Sequence, residues 1–173
     1  WAHGRVAHSA GMSFDQREFR NALGNFATGV TIVTARSRDG EALGLTANSF
    51  NSVSLDPPLV LFSLHRQSYS LRSFEEAGNF AINVLRDDQQ DISRLFATAL
   101  TDKWQGLDYE TWDSGAPILR HALAVFDCAT HAVHDGGDHL IFVGKVLRFA
   151  HDPSGRPLLY FRGNYSQVHP EQD

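Results

Sequence analysis

Gly44-Leu-Thr-Ala-Asn-Ser-Phe-Asn-Ser-Val-Ser-Leu-Asp-Pro-Pro-Leu-Val-Leu-Phe-Ser63 decides the fold class, because two strand-like runs meet here with no helix between them. Ahead of the tract, roughly Ala42 to Ala47 reads as a strand. Behind it, Pro57-Pro58 starts Leu59 to Leu64, an almost unbroken apolar run of the kind buried on both faces of a sheet. Between them, six of the nine residues from Thr46 to Ser54 carry a hydroxyl or an amide, and none carries a charge. Such composition favours a turn between strands. It also suits a polar ligand held by many moderate hydrogen bonds from short side chains and open backbone N–H groups. Both readings stand at this point.

Working outward, Ser13-Phe-Asp-Gln16 has the form of a capping box with Ser13 as N-cap. Phe19, Ala22, Leu23 and Phe26 follow at helical spacing, which predicts an amphipathic helix ending before Gly29. Val30 to Ala35 is β-branched and predicts a strand that turns at Arg38-Asp39-Gly40. Downstream, Ser70 to Ala77 reads as a short helix stopped by Gly78, and Phe80 to Leu85 as a strand. Ile92, Leu95, Phe96 and Ala99 mark a further helix, and Leu107 to Trp112, Leu123 to Val133, Leu140 to Phe149 and Leu158 to Phe161 supply more strands. Seven or eight strands, several in direct succession, predict a mainly antiparallel β-barrel with a few peripheral helices. A doubly wound parallel sheet fits badly, since β and α segments do not alternate and no Gly-x-Gly-x-x-Gly follows the first strand.

Composition narrows the function classes. The chain has 173 residues, 42% apolar and 20% charged, which suits one globular domain. A formal charge of −5 without a basic cluster argues against nucleic acid as the main partner. Cys128 is the single cysteine, so no intramolecular disulfide signals an oxidising compartment. No apolar run reaches the ~18 residues of a membrane-spanning helix. Residues 1–12 read as a disordered or vector-derived leader and residues 13–173 as the folded domain, with a cytoplasmic location as the default.

Beyond the polar tract, His134-Asp-Gly-Gly-Asp-His139 places a histidine at the first strand position after a glycine turn, where a ligand can approach the backbone. The plain alternative is an ordinary hairpin with exposed histidines. His131, His134, Asp138 and His139 lie close in sequence, but their spacing matches no helical zinc site, and the reading is no metal. Ser68-Tyr-Ser-Leu-Arg72 offers hydroxyls at a helix start, with Arg66 or Arg72 to neutralise an anion; the same serines can simply cap the helix. Trp104 either stacks on a planar ring or packs in the core. Cys128, mid-strand, reads as core. There is no nucleophile elbow, P-loop or acid/base carboxylate pair.

In order and spacing, these segments resemble the short-chain flavin reductases, the reductase components of two-component flavin-dependent monooxygenases. The stretches that carry the resemblance are 19–34, 44–60, Asn79 to Leu85, Gly137-Asp-His139 and Pro157-Leu-Leu-Tyr-Phe-Arg-Gly-Asn-Tyr165. It implies an FMN-binding split β-barrel, antiparallel and Greek-key-like, acting as a homodimer that reduces FMN or FAD with NADH or NADPH. By the same resemblance the flavin site falls on Thr28, Gly29, Val30 and Thr31, on Thr46, Ala47, Asn48 and Ser49, and on Ser63, Leu64 and His65. Ser68, Tyr69 and Ser70 follow near the phosphate, and Trp104 completes the set. Gly137, Asp138 and His139 would meet the nicotinamide, with Tyr165 near the same pocket and His139 positioning the donor. The phosphate region departs from the family in having no lysine and a bulky Tyr69, which leaves FMN against FAD open.

Under this reading the protein's share of the chemistry is alignment of two rings and stabilisation of a reduced, anionic one, for which no protein acid is required. Reduced flavin then leaves for a separate monooxygenase. A flavin-binding module without reductase activity is the alternative, and a flavin-free structural barrel a third; Gly137-Asp-His139 favours the enzyme over the first, and the uncharged tract disfavours the second.

Overall fold

Asp15, not Ser13, caps the first helix, α1 (Gln16–Leu23), in the computed structural model, which describes residues 13–99 and 102–170. The leader read over 1–12 lies outside the described residues. The Asp15 carboxylate accepts from the backbone N–H of Arg17 at 2.9 Å and of Glu18 at 3.1 Å. A carboxylate at a helix N-terminus meets both orphan donors and the dipole, which a hydroxyl two residues earlier does less well. The helix ends at Leu23, short of Phe26, and buries no residue; Phe19, Leu23 and Phe26 are exposed.

The strands follow as β1 (Thr28–Gly29), β2 (Thr31–Arg36), β3 (Ala42–Ala47), β4 (Asn51–Leu55) and β5 (Pro58–His65). After helix α2 (Leu71–Ala77) comes β6 (Asn79–Val84), and after α3 (Gln90–Ala97) come β7 (Tyr109–Thr111) and β8 (Pro117–Leu119). Two long strands, β9 (Ala124–Gly136) and β10 (His139–His151), precede the hairpin of β11 (Leu158–Phe161) and β12 (Asn164–Gln167). The short strands β1, β4, β8 and β12 exceed the expected seven or eight. Their sequences are too short or too polar to show a period-2 pattern, and neighbours define them.

One antiparallel sheet, ordered β3-β2-β6-β9-β10-β5-β4, carries the core. Its two edge strands are consecutive in the chain, so residues 48–50 bring the edges together. There the Ser49 hydroxyl accepts from Ser63 N–H at 2.9 Å and donates to Ser63 C=O at 3.2 Å. These bonds tie the connection to β5, while β3 and β4 do not pair with each other, and the barrel is open along that seam. Half of the polar tract is thus edge strand β4. The run 59–64 is not buried on both faces: Val60, Phe62 and Leu64 are buried and the residues between them half-buried, because β5 lies one strand from the edge.

Phe62 stacks on Phe142 at 5.0 Å and meets Phe80 edge-on at 4.9 Å, forming the centre of the main core cluster. Burying each such ring contributes about 1.5–3 kcal/mol. Gly144 in β10 sits under this cluster at a register shift against β9. Two buried polar residues pin β8 to the barrel: Asn83 Nδ2 donates to Ile32 C=O at 3.0 Å while its Oδ1 accepts from Leu119 N–H at 2.8 Å, and Thr34 Oγ1 donates to Pro117 C=O at 2.5 Å. Full satisfaction is what makes their burial tolerable. A second cluster, including Leu85, Phe96 and Leu158, lies under α3.

Candidate active site

Where the barrel splits, a cleft of about 480 Å³ opens between the edge strand β3, the end of β5 and the C-terminal turn of α3. That volume suits a small-molecule site. Thr46, Ala47, Asn48 and Ser49 form one wall, and Ser63, Leu64 and His65 continue into Ser68, Tyr69 and Ser70 on the other. His139, the first residue of β10, stands beside His65 at the mouth, its sheet partner in register. Residues from three separate segments of the sequence reading therefore share one cavity.

Their chemistry is divided. Thr46 donates its hydroxyl to Ser93 C=O at 2.6 Å, and Ser49 is engaged with Ser63, so these two hold the walls in place. The hydroxyls of Ser63, Ser68 and Ser70 and the amide of Asn48 have no protein partner among the described residues. Ser70, at the N-cap position of α2, makes no side-chain cap bond. These groups are the free donors and acceptors of the cleft.

Several expected residues lie elsewhere. Thr28, Gly29, Val30 and Thr31 are outside the cleft lining. Val30 is buried, and Thr31, also buried, donates its hydroxyl to Ala47 C=O at 2.6 Å, bracing the β3 wall from behind. The Thr28 hydroxyl is buried without a partner, beside Tyr160 across the β1–β11 pairing. Trp104 packs edge-on between Phe96 and Tyr109, each at 5.0 Å, because the apolar side of α3 needs a lid. Tyr165 bonds through its hydroxyl to Ser93 Oγ at 2.7 Å and packs on Tyr160. Neither ring reaches the cavity. Gly137 and Asp138 form the two-residue turn behind His139, with Gly137 at φ 76°, a backbone shape that suits glycine at the first turn position.

The positive charge also moves. Arg72 pairs with Glu76 within α2, and Arg66 is bonded to Asp135 and to the carbonyl of Gly137. Neither is free for an anion. Lys103, which the sequence reading missed, lines the cleft instead. Its ammonium donates to Phe96 C=O at 3.2 Å, has no acidic partner among the described residues, and is lowered below its ordinary pKa by burial. A desolvated cation of this kind gains from an arriving anion. Nothing in the local sequence Asp102-Lys-Trp104 signals the role; only the path of the chain after α3 does.

At the mouth, His139 Nδ1 lies 2.6 Å from Asp138 Oδ1. A carboxylate only accepts, so Nδ1 carries the proton, and in the neutral ring Nε2 is the acceptor. The hydrogen bond from His139 is the main cause that holds the Asp138 carboxyl below its usual range. His65 accepts from Gln67 N–H at Nδ1 (3.0 Å), which leaves its Nε2 proton facing Asp138 at 4.0 Å. Two imidazoles thus share one carboxylate, their rings 5.0 Å apart. No cluster of metal-ligating side chains occurs among the described residues. Burial, and then Asp127, push the Cys128 thiol up to about 12, which removes it as a nucleophile.

The site is thus a hydroxyl-lined cleft at the open seam of an antiparallel barrel, with a histidine on a glycine turn at its mouth. Residues 23–169 match the flavin reductase like domain, and the chain belongs to that family. It is 41% identical over 160 residues to HsaB of Mycobacterium tuberculosis, the reductase subunit of a flavin-dependent monooxygenase, covering 91% of this chain and 85% of that protein. To the FMN reductase (NADH) SmoA of Agrobacterium fabrum it is 48% identical over 153 residues, covering 88% and 86%. Among solved structures, the NADH:FAD oxidoreductase of Streptomyces globisporus, in complex with NAD and FAD fragments, superposes with a TM-score of 0.87 at 36% identity over 92% of this chain and 96% of that one. No helix among the described residues is long and apolar enough to cross a membrane.

Proposed function

We propose that this chain is an NADH-dependent flavin reductase that reduces FMN or FAD and releases the reduced flavin to a separate monooxygenase. The observation that carries the reading is the cleft: unpartnered serine hydroxyls, a lysine with no counter-ion among the described residues, and a histidine whose proton position is set by Asp138. A bound flavin accepts hydride at its ring and supplies the redox chemistry. Ser63 and Asn48 offer hydrogen bonds to the polar edge of that ring. Ser68, Ser70 and Lys103 offer donors to its phosphate. His139 Nε2 accepts from the carboxamide of the hydride donor and holds it over the cleft. Hydroxyl contacts of about 1 kcal/mol each grip flavin without locking it in place.

Aerobic loss of NADH absorbance on adding FMN or FAD tests the reductase. Anaerobic reduction followed by rapid filtration tests release: reduced flavin in the filtrate is expected, and retention on the protein overturns the transfer role. Lys103→Met should weaken flavin binding roughly tenfold, in line with one charge-assisted hydrogen bond. Equal affinity by fluorescence titration would remove Lys103 from the site.

The chain is further proposed to work as a homodimer. Phe149 stacks on Phe126 yet remains 64% exposed, and Leu55 on the edge strand is 96% exposed. Together with the bare face of α1 these leave apolar surface that a second copy would cover. Light scattering should read two chains at micromolar concentration; an active monomer excludes the assembly.

A further inference from the structure

We infer that Arg66 is a positioning residue that clamps the β9–β10 turn carrying His139, and that it does so instead of binding flavin phosphate. The inference rests on the reductase reading above. Three contacts converge on the turn. Arg66 Nε donates to Gly137 C=O at 2.7 Å, its terminal nitrogen pairs with the Asp135 carboxylate, and its backbone N–H donates to Asp138 C=O at 2.9 Å. The guanidinium therefore grips Asp135 on the β9 arm and the first turn residue, Gly137, while the backbone N–H of Arg66, just past β5, holds the second, Asp138.

The consequence lies in where the turn sits. His139 pairs with His65 on β5 and with Gly136 across the turn, and Arg66 and the shared Asp138 add the side-chain contacts that hold the turn residues themselves. A shift of about 1 Å at a reacting group is enough to cost 10²-fold, so small changes in the set of this turn matter to His139. Arg66 and Asp135 are 44% and 78% exposed, so the pair adds little to global stability. Its geometric effect on His139 is what remains. A planar fork with two acceptors at fixed angles needs arginine; lysine reaches one of them.

The test compares Arg66→Gln, Arg66→Lys and Asp135→Asn in the 173-residue chain. Arg66→Gln should raise KM for NADH about tenfold, leave flavin affinity within about twofold, and leave the melting temperature nearly unchanged. Arg66→Lys should fall between it and the wild type. Arg66→Gln combined with Asp135→Asn should be no worse than Arg66→Gln alone, since both remove one clamp. Amide exchange at residues 135–139, measured without flavin or NADH, should quicken severalfold in Arg66→Gln. An unchanged KM with unchanged exchange, or a flavin affinity that falls in step with KM, overturns the clamp. If the wild type oxidises no NADH with either flavin, the reductase reading fails, and the exchange measurement alone decides the clamp.

Discussion

His139→Ala is expected to lower kcat/KM for NADH by about ten- to a hundredfold, the equivalent of roughly 1–3 kcal/mol for a single positioning hydrogen bond missing from the transition state. The residue lines the cleft mouth, begins β10, and has its proton held on Nδ1 by Asp138. Alanine removes the imidazole acceptor that this arrangement presents, while the free serines and Lys103 at the flavin end stay in place. Flavin affinity should therefore change by less than about threefold. His139→Gln, which keeps an amide acceptor at similar reach, should recover part of the loss. Should flavin binding collapse while NADH kinetics at saturating flavin stay normal, the histidine belongs to the other ligand.

Gly144→Ala should destabilise the barrel more than any surface change. An added Cβ would lie 2.3 Å from Phe80 Cζ and 2.8 Å from Cys128 Cβ. Phe80 cannot swing aside, because it is fully buried and meets Phe62 edge-on at 4.9 Å. Overpacking of this kind costs about 1–3 kcal/mol, read as a lower urea midpoint at constant slope. Gly144→Ala combined with Phe80→Leu should be more stable than the two separate losses predict, since the smaller side chain vacates the point of collision. Strictly additive losses would locate the damage elsewhere.

The sequence carried the fold through its β-branched runs. The strand read at Ala42 to Ala47 has the bounds of β3, and Leu158 to Phe161 those of β11. Half of the cleft was legible for a local reason: uncharged hydroxyls crowd Thr46 to Ser70 because neither core nor open solvent selects them. What was hidden depends on distant partners. Thr31 and Thr46 look like ligand contacts, but each hydroxyl is held by a carbonyl, from Ala47 and from Ser93 respectively. Arg66 looks like a phosphate residue until Asp135, far along the chain, comes into contact with it. Lys103 and Trp104 are adjacent, and the turn after α3 sends the lysine to the cleft and the indole to the core. Only tertiary structure separates such neighbours.

Reduced flavin set free in air yields hydrogen peroxide, so an enzyme that releases it works in an oxidant of its own making. The attack of peroxide on cysteine goes through the thiolate. With its pKa pushed up to about 12, the Cys128 thiol is almost wholly un-ionised at neutral pH, and it is fully buried in the main core cluster. The chain's single sulfhydryl is thereby shielded from the by-product of its own turnover, and loss of activity during aerobic work should trace to side chains other than this one.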